Sequence, residues 1–542
     1  VFDARNLKVE KPQPKPSVIR AAAAMSSGTM VSRVLGYVRD AVVMAMFSRT
    51  VTDAFVVAFR LPNMVRRLLG EGSLSVSFIP VYVDQLANDP TGERAQNLRN
   101  ATYTLLSSVT LTLTALSWIF MEPLLRAWVG DESGFAAVAG KLELTITLAR
   151  IMCVYVFLVT LFAFFSGIAN SIHKFFVPAL APAAFNAVLI AFALMPSEWH
   201  PVPGALLSWG VVVAGVIQTG MVAVLLYRVG HLPRWTLKIN VAGLRTVITN
   251  MGPGLAGLGI FQIMTIANTF FAARLPEGTQ TYIYNSDRIL ELPQSIIAIS
   301  LGTALLPTFS RQLSTGDKTG MLRTANEGLR TMLFLALPAA VGMYFLAHPM
   351  IEVLFGRGQY GPEDIAVTAS IVEIYSVLLV VSSLAKVTVP GFYAMKNTWL
   401  PAVLAGVSLI VHLALCAWWV DRYGVQGLAG ATATSGALNM ILLQIAFRYM
   451  IGPIGISAVV QAVFRMLPGM FGMGLVIYWM YDFLKPAFSG LGHTLANILA
   501  LGITIGSGAV VYFLLGKLSG CPEAVRSLAL LKRKASSKGI QK

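Results

Sequence analysis

The chain has 542 residues, 56% of them hydrophobic and only 12% charged, with a mean hydropathy of +0.69, whereas soluble globular chains carry about 25% charged residues. Because a membrane-spanning helix needs about 20 apolar residues, the apolar stretches account for most of the length, which excludes a large ectodomain and a membrane-tethered soluble enzyme. The 41 basic and 25 acidic residues give a net charge of +16, which in such a chain reports cytoplasmic loops rather than a nucleic-acid partner.

Residues 1–17 are polar and Pro-rich, with KPQPKPS at 11–17, and do not read as a secretory signal. Apolar stretches then follow at 18–47, 51–86, 100–129, 143–172, 177–196, 203–229, 244–273, 279–312, 326–355, 364–394, 399–420, 425–450, 459–484 and 490–517. These predict an all-α polytopic membrane protein of about fourteen transmembrane helices. The even number puts both termini on one side. Loops carrying Arg94 and Arg99, then Arg228, Arg234, Lys238 and Arg245, then Arg311, Lys318 and Arg323 alternate with loops poor in basic residues, such as VGDESG (129–134), MPSEWHPVPG (195–204) and GRGQYGPED (356–364). The positive-inside rule places the termini and the basic loops in the cytoplasm. The tail KRKASSK (532–538) reads as a solvated segment or as a contact with anionic lipid.

An internal repeat is visible. SGIANSIHKFFVPAL (166–180) returns in outline as PGFYAMKNTWLPAV (390–403), pairing Gly167 with Gly391, Lys174 with Lys396 and Pro178 with Pro401, and SFIPVYVDQL (77–86) matches LLPTFSRQL (305–313) through Pro80 and Pro307. The near-constant offset argues for two six-helix repeats that form two lobes around a central cavity, with two further helices at the C-terminal end. The units expected are a polar segment 1–17, an N-lobe 18–230, a C-lobe 244–451, the added pair 459–517 and a basic tail 518–542.

Several spans carry charge where charge is costly, roughly 2.5 to 3.5 kcal/mol for each Arg or Asp at a helix centre. The first holds Arg33, Arg39 and Asp40; the second holds Asp53, Arg60, Arg66, Arg67 and Glu71; the eighth holds Asp287, Arg288 and Glu291. At 100° per residue Arg33 and Asp40 share a face while Arg39 lies about a third of a turn away, free to reach a ligand. Asp53, Arg60 and Arg67 form a stripe with a spacing of seven, Arg288 and Glu291 are three apart, and Glu143 and Arg150 share a face in the fourth span, where an internal ion pair is expected. Glu373 and Lys386 lie within the tenth. For each cluster the alternatives are an ion pair that joins helices and a group that faces a cavity. Arg nonetheless exceeds the acids available to neutralise it, and a surplus of guanidinium in a cavity suits a phosphate-bearing or carboxylate-bearing substrate. Pro62, Gly70, Gly72 and Pro293 are candidate hinges.

Other chemistry is not signalled. The six histidines are dispersed, with no HExxH spacing, and no Walker A sequence occurs. Cys153, Cys416 and Cys521 read as free thiols, and GLGIFQ (257–262) reads as a packing face inside an apolar helix. No metal or cofactor is expected.

The segments SRVLGYVRD (32–40), TDAFVVAFRLPNMVRRLLGEGSLSVSFIPV (52–81), SDRILELP (286–293) and ALLP (304–307) resemble the MurJ (MviN) family of lipid II flippases, in the superfamily of multidrug and polysaccharide exporters. The resemblance implies a flippase of two lobes, helices one to six and seven to twelve, around a cationic cavity, with 459–517 forming a groove for the polyprenyl tail. The implied cargo is lipid II, undecaprenyl pyrophosphate bearing the disaccharide-pentapeptide of peptidoglycan, moved from the inner to the outer leaflet of the bacterial cytoplasmic membrane. The implied partners are membrane lipids and the cell-wall synthesis machinery. The family's functional arginines fall on Arg33, Arg39, Arg66 and Arg288 and its second-helix acid on Asp53. Glu71 matches a motif acid, and Arg60 stands where some relatives carry Lys. A sodium site of some relatives needs acids in helices seven and eleven, and 244–270 and 399–420 contain neither Asp nor Glu. Membrane potential acting on cargo or cavity charge is the more open source of energy. The rival readings are a drug antiporter or polysaccharide-lipid flippase of the same superfamily, a membrane enzyme acting on the same lipid, and a scaffold that does not transport.

Overall fold

The computed structural model describes residues 18–68, 74–130, 134–488, 490 and 492–525. The described residues form helices and loops without a strand. The helices are α1 (Val18–Met46), α2 (Arg49–Val65), α3 (Leu74–Asn88), α4 (Glu93–Ile119), α5 (Met121–Val129), α6 (Lys141–Met152), α7 (Val154–Ser171), α8 (Phe176–Ala193) and α9 (Ala205–Arg228). They continue with α10 (Leu244–Ala273), α11 (Thr279–Ser314), α12 (Lys318–Phe345), α13 (Ala347–Phe355), α14 (Pro362–Ala394), α15 (Trp399–Met450), α16 (Ile456–Ala487) and α17 (His493–Leu518). Among the described residues, each expected apolar stretch is taken up by one helix, by a consecutive pair such as α4 and α5, or by one arm of α15, which Gly424 breaks with φ 57° and ψ −135°. Eight described helical segments are long and apolar enough to cross a bilayer, nine if the α4–α5 pair, bent by 70°, counts as one. Helix is the form that satisfies every backbone group within its own segment where water is absent. Of the candidate hinges, Pro62 and Pro293 lie within unbroken helix, α2 continuing through Pro62 to Val65 and α11 through Pro293; Gly70, Gly72, the N-terminal segment 1–17 and residues 526–542 of the basic tail lie outside the described residues.

The duplication is written into the backbone. Among the described residues His173 and Lys396 are the non-glycine residues with positive φ, 61° and 58°, and each ends a helix in the same way. Lys174 N donates to Ala169 O (2.9 Å) and Asn397 N to Phe392 O (3.0 Å), while His173 N donates to Asn170 O (3.1 Å) and Lys396 N to Tyr393 O (2.9 Å). The register is therefore 223 residues, which pairs Lys396 with His173 rather than with Lys174 and keeps Pro178 with Pro401. The nine-residue helices α5 and α13 also correspond.

Helices α1 to α9 pack into one bundle and α11 to α15 into another, with α16 and α17 against α12 of the second. Helix α10 crosses between them: its first turn, Leu244 and Val247, joins the core of the first bundle, and its last, Phe271 to Ala273, lies in a core built from both. That shared core occupies the end of the molecule away from the basic loops and draws Val43 and Met44 of α1, Val57 of α2, Ile283 of α11, Phe355 of α13 and Val372 of α14 into one cluster. At the basic-loop end the bundles have separate cores, one around Phe78, Tyr82 and Phe164 and the other around Phe309, Met332 and Phe447. Among the described residues the molecule is thus roofed at one end and divided at the other.

Two equivalent loops close the roof. Phe135 N donates to Ala273 O (2.6 Å) and Gln359 N to Ala45 O (3.0 Å), so each bundle's loop grips the last turn of a helix from the other side. The preceding residues, Gly134 and Gly358, both have φ of 59°, and a Cβ at either would collide with that same carbonyl. Gly358→Ala is expected to lower the melting temperature in detergent, the left-handed conformation alone costing about 1–3 kcal/mol. Gly92→Ala, with φ of 68° and no neighbour within 4 Å, is the control that carries the conformational cost without the collision; equal effects in the two variants would deny the grip.

At the basic-loop end His231 bridges elements: Arg99 Nη1 donates to its Nδ1 (3.2 Å), and Tyr82 Oη lies 3.1 Å from the same nitrogen. Burial, and then the Arg99 charge, hold its pKa below the ordinary histidine value of 6.5. The neutral ring is the folded form, so stability is full above the ordinary value and declines as pH falls toward the lowered one. Melting curves from about pH 8 to about pH 5.5 should show this decline, and His231→Gln should flatten it. The three cysteines are free and buried. Cys521, read from sequence as part of a polar tail, is instead docked against the second bundle beside the Arg330–Glu523 ion pair (2.5 Å).

Candidate functional site: a cationic cavity beneath the roof

Between the bundles, under the shared core, lies a cavity of about 940 Å³ lined by α1, α2, α7, α8, α9, α10, α11 and α14. Its basic side chains are Arg33 and Arg39 of α1, Arg60 of α2, Arg66 and Arg67 just past the end of α2, Arg288 of α11 and Lys386 of α14, against which the lining sets Asp287 and Glu291. These residues face inward for the reason read from the sequence: a charge in an apolar span must turn from lipid toward protein or water. Among the described residues the cavity carries a clear surplus of positive charge.

The centre of the site is Asp40, buried at 3% exposure. It accepts from Arg39 Nε (2.9 Å) and Nη2 (2.5 Å) and from Arg288 Nε (2.9 Å), so one carboxylate ties α1 to α11 and orients two guanidinium groups. Arg39 also donates to Asn186 Oδ1 (2.9 Å) and to Tyr284 Oη (3.1 Å). Arg288 Nη1 donates to Glu291 (3.2 Å), which accepts in turn from Arg67 Nη2 (3.0 Å). Arg33 reaches the Ser295 hydroxyl and Arg60 the Thr269 hydroxyl, while Arg66 Nε donates to Asn63 (3.0 Å). Two cations on one buried acid leave a net charge that a ligand can answer.

Two expected pairings are corrected. Asp40 bonds to Arg39 and Arg288 rather than to Arg33, and Arg39 is not the free member of its helix. Arg150 faces Glu122 (4.0 Å) and the Trp118 ring rather than Glu143. The cause is common to both: residues seven apart share a face but stand about 10 Å apart along the axis. At a spacing of three, Arg288 and Glu291 do meet.

The stripe of Asp53, Arg60 and Arg67 divides. Arg60 and Arg67 line the cavity, whereas Asp53, 1% exposed, stands in the roof. It accepts from Lys141 Nζ (2.8 Å), Gly278 N (2.7 Å), Thr281 N (2.9 Å) and Thr281 Oγ1 (2.6 Å), and so caps the start of α11. Around it Arg49 pairs with Glu363 (2.8 Å) and Asp364 (2.7 Å), and Thr50 donates to Glu277 (2.6 Å). Glu71 lies outside the described residues. Sequence reasoning missed Asn186, Tyr284 and Ser295 as cavity residues, because a lone amide or hydroxyl in an apolar run gives no sign of its direction. It noted Lys386 as a charge within a span but did not place it in the site.

Two repeated helical bundles that share a roof and enclose a charged central cavity define a membrane transporter of the two-lobed exporter class. The family described as lipid II flippase MurJ matches residues 42–500, and the chain belongs to it. The chain is similar to the probable lipid II flippase MurJ of Bdellovibrio bacteriovorus, at 42% identity over 512 residues, 94% of this chain and 97% of that one. Its fold matches a solved structure of lipid II flippase MurJ in an inward closed conformation with a TM-score of 0.72 at 23% identity, covering 89% of this chain and 97% of the other. It also matches an inward-facing multidrug transporter of the MATE family, with a TM-score of 0.66 at 14% identity, covering 81% of this chain and 99% of the other.

Proposed function

We propose that this chain moves lipid II from the inner to the outer leaflet of the bacterial cytoplasmic membrane, with Arg33, Arg39, Arg60, Arg66 and Arg288 receiving the pyrophosphate. The observation that carries this reading is the surplus of guanidinium in a cavity that is roofed at one end. A pyrophosphate cannot cross hydrocarbon unaided, and Arg keeps its charge when desolvated and binds phosphate bidentately. A cation exporter would need the opposite balance, a cavity with surplus acid.

In this reading residues 18–230 act as one lobe and 244–451 as the other, the segment 459–517 offers the groove for the polyprenyl tail, and 1–17 and 518–542 are cytoplasmic. The roofed end faces outward, so the cavity receives cargo from the cytoplasmic side. Parting of the roof while the bundles close at the basic end completes alternating access. Asp53 contributes through the roof, and Glu71 through the segment that follows α2. The test is to deplete the native flippase of a bacterium, supply this chain, and measure lipid II exposed on the outer leaflet. Restored exposure supports the reading; a folded, membrane-inserted chain that leaves lipid II inside refutes it.

A further inference from the structure

The segment joining α9 to α10, residues 229–243, is not helical, yet it is fixed along its length. Arg234 N donates to Asn100 Oδ1 (2.9 Å), Thr236 N to Thr104 Oγ1 (3.0 Å) and Gln85 Nε2 to Ala242 O (2.7 Å). The Trp235 ring stands edge-on to Tyr103, with centroids 5.8 Å apart. From this held backbone Leu237 projects at 97% exposure, with Trp235 at 58% and Ile239 at 53%. An apolar patch presented by an ordered segment marks something that covers it.

Beside the patch is a cleft of about 480 Å³ whose polar lining comes from Arg94, Asn97, Lys238 and Asn240. Arg228, Arg234 and Arg245, all exposed, stand on the same segment or next to it. Of the nearby acids, Asp84 accepts from Asn88 (2.8 Å), and Asp89 accepts from Thr91 Oγ1 (2.6 Å) and from the backbone of Arg94 (2.8 Å); Glu93 is the other. The segment lies along α4 at Asn100 to Thr104, about two to three turns in from the start of that helix, which sets it against a spanning helix rather than out in water. Apolar side chains, an interfacial tryptophan and a cationic cleft at one level are the features of a surface that meets lipid headgroups.

We propose that this platform binds an anionic phospholipid of the leaflet on the basic-loop side, with Leu237, Trp235 and Ile239 among the acyl chains and Arg94 and Lys238 on the phosphate. The bound lipid would brace the link between the two bundles against α4, so that the anionic lipid content of the membrane tunes how freely the bundles move. This does not depend on the identity of the cargo.

Native mass spectrometry of the detergent-purified full chain, titrated with phosphatidylglycerol or phosphatidylcholine, tests the site. The wild type should retain phosphatidylglycerol preferentially. Arg94→Gln with Lys238→Gln should weaken that retention about tenfold or more and leave phosphatidylcholine unchanged, whereas Lys318→Gln with Arg323→Gln should leave both unchanged. Equal loss in the two double variants, or no loss in the first, overturns the proposal. A spin label at Leu237→Cys in phosphatidylglycerol vesicles should be reached by oxygen in preference to a water-soluble nickel relaxant; a label reached mainly by nickel means that the patch faces water or a soluble protein, and overturns it as well.

Discussion

Arg288→Gln is expected to reduce the appearance of lipid II on the outer leaflet by tenfold or more and to lower thermal stability at the same time. Hydrogen bonds to charged groups contribute about 1.5–3 kcal/mol each, and about 1.4 kcal/mol corresponds to tenfold. The same substitution removes one of the two cations on Asp40 (Arg288 Nε at 2.9 Å), and breaking a buried pair from one side costs about 3–5 kcal/mol. The loss of activity alone would therefore not separate a ligand contact from a damaged fold. Arg33→Gln makes the separation, because Arg33 reaches the Ser295 hydroxyl and its removal leaves Asp40 with both of its cations. It should lower transport with little change in melting temperature. Arg288→Lys should keep the fold and part of the transport, since the point charge remains while the fork that holds Asp40 and presents to phosphate is lost. Equal outer-leaflet exposure in wild type and Arg33→Gln would remove Arg33 from the binding set.

Asp53→Ala is expected to open the roof. Lys141, fully buried, would lose its 2.8 Å partner and keep Glu277 at 3.5 Å, again a cost of about 3–5 kcal/mol, and the α11 terminus would lose a cap contributing about 1 kcal/mol. The readout is a cysteine introduced at Ala45, under the grip of Gln359, probed with a membrane-impermeant maleimide. The native thiols are all buried, so the background should be low. Labelling should be slow in the parent and fast with Asp53→Ala. Adding Lys141→Met to Asp53→Ala should recover part of the melting temperature by removing the orphaned charge. Were labelling slow in both and the melting temperatures alike, the roof would not depend on this network.

How much of this could be read in advance follows from what a charge in an apolar span implies. Direction was legible: Arg33, Arg39, Arg60, Arg66 and Arg288 all face the one cavity, because none could face lipid. Partners were legible only at short range. The spacing of three between Arg288 and Glu291 brings charges to the same height, while the spacing of seven between Arg33 and Asp40 does not. Partners on another helix were out of reach, and these matter most: Asp40 to Arg288, Arg67 to Glu291 and Asp53 to α11 each join elements more than 200 residues apart. Lys141 shows the limit well. It stands at the edge of an apolar stretch, where a lysine ordinarily marks the water boundary, and it is fully buried because Asp53 arrives from α2. The repeat was legible in outline, but its register waited for the left-handed residues His173 and Lys396.

The two roof loops are exchanged. Gly134 and Phe135 of the first bundle close over the carbonyl of Ala273, and Gly358 and Gln359 of the second close over that of Ala45. Neither unit can therefore seal itself, and each supplies the latch that the other lacks. This is the reciprocal contact of a two-fold symmetric dimer, in which one patch meets another and the second meets the first, here held within a single chain. Each latch lies between the two repeats rather than within one, so parting the repeats at the roof must break both hydrogen bonds.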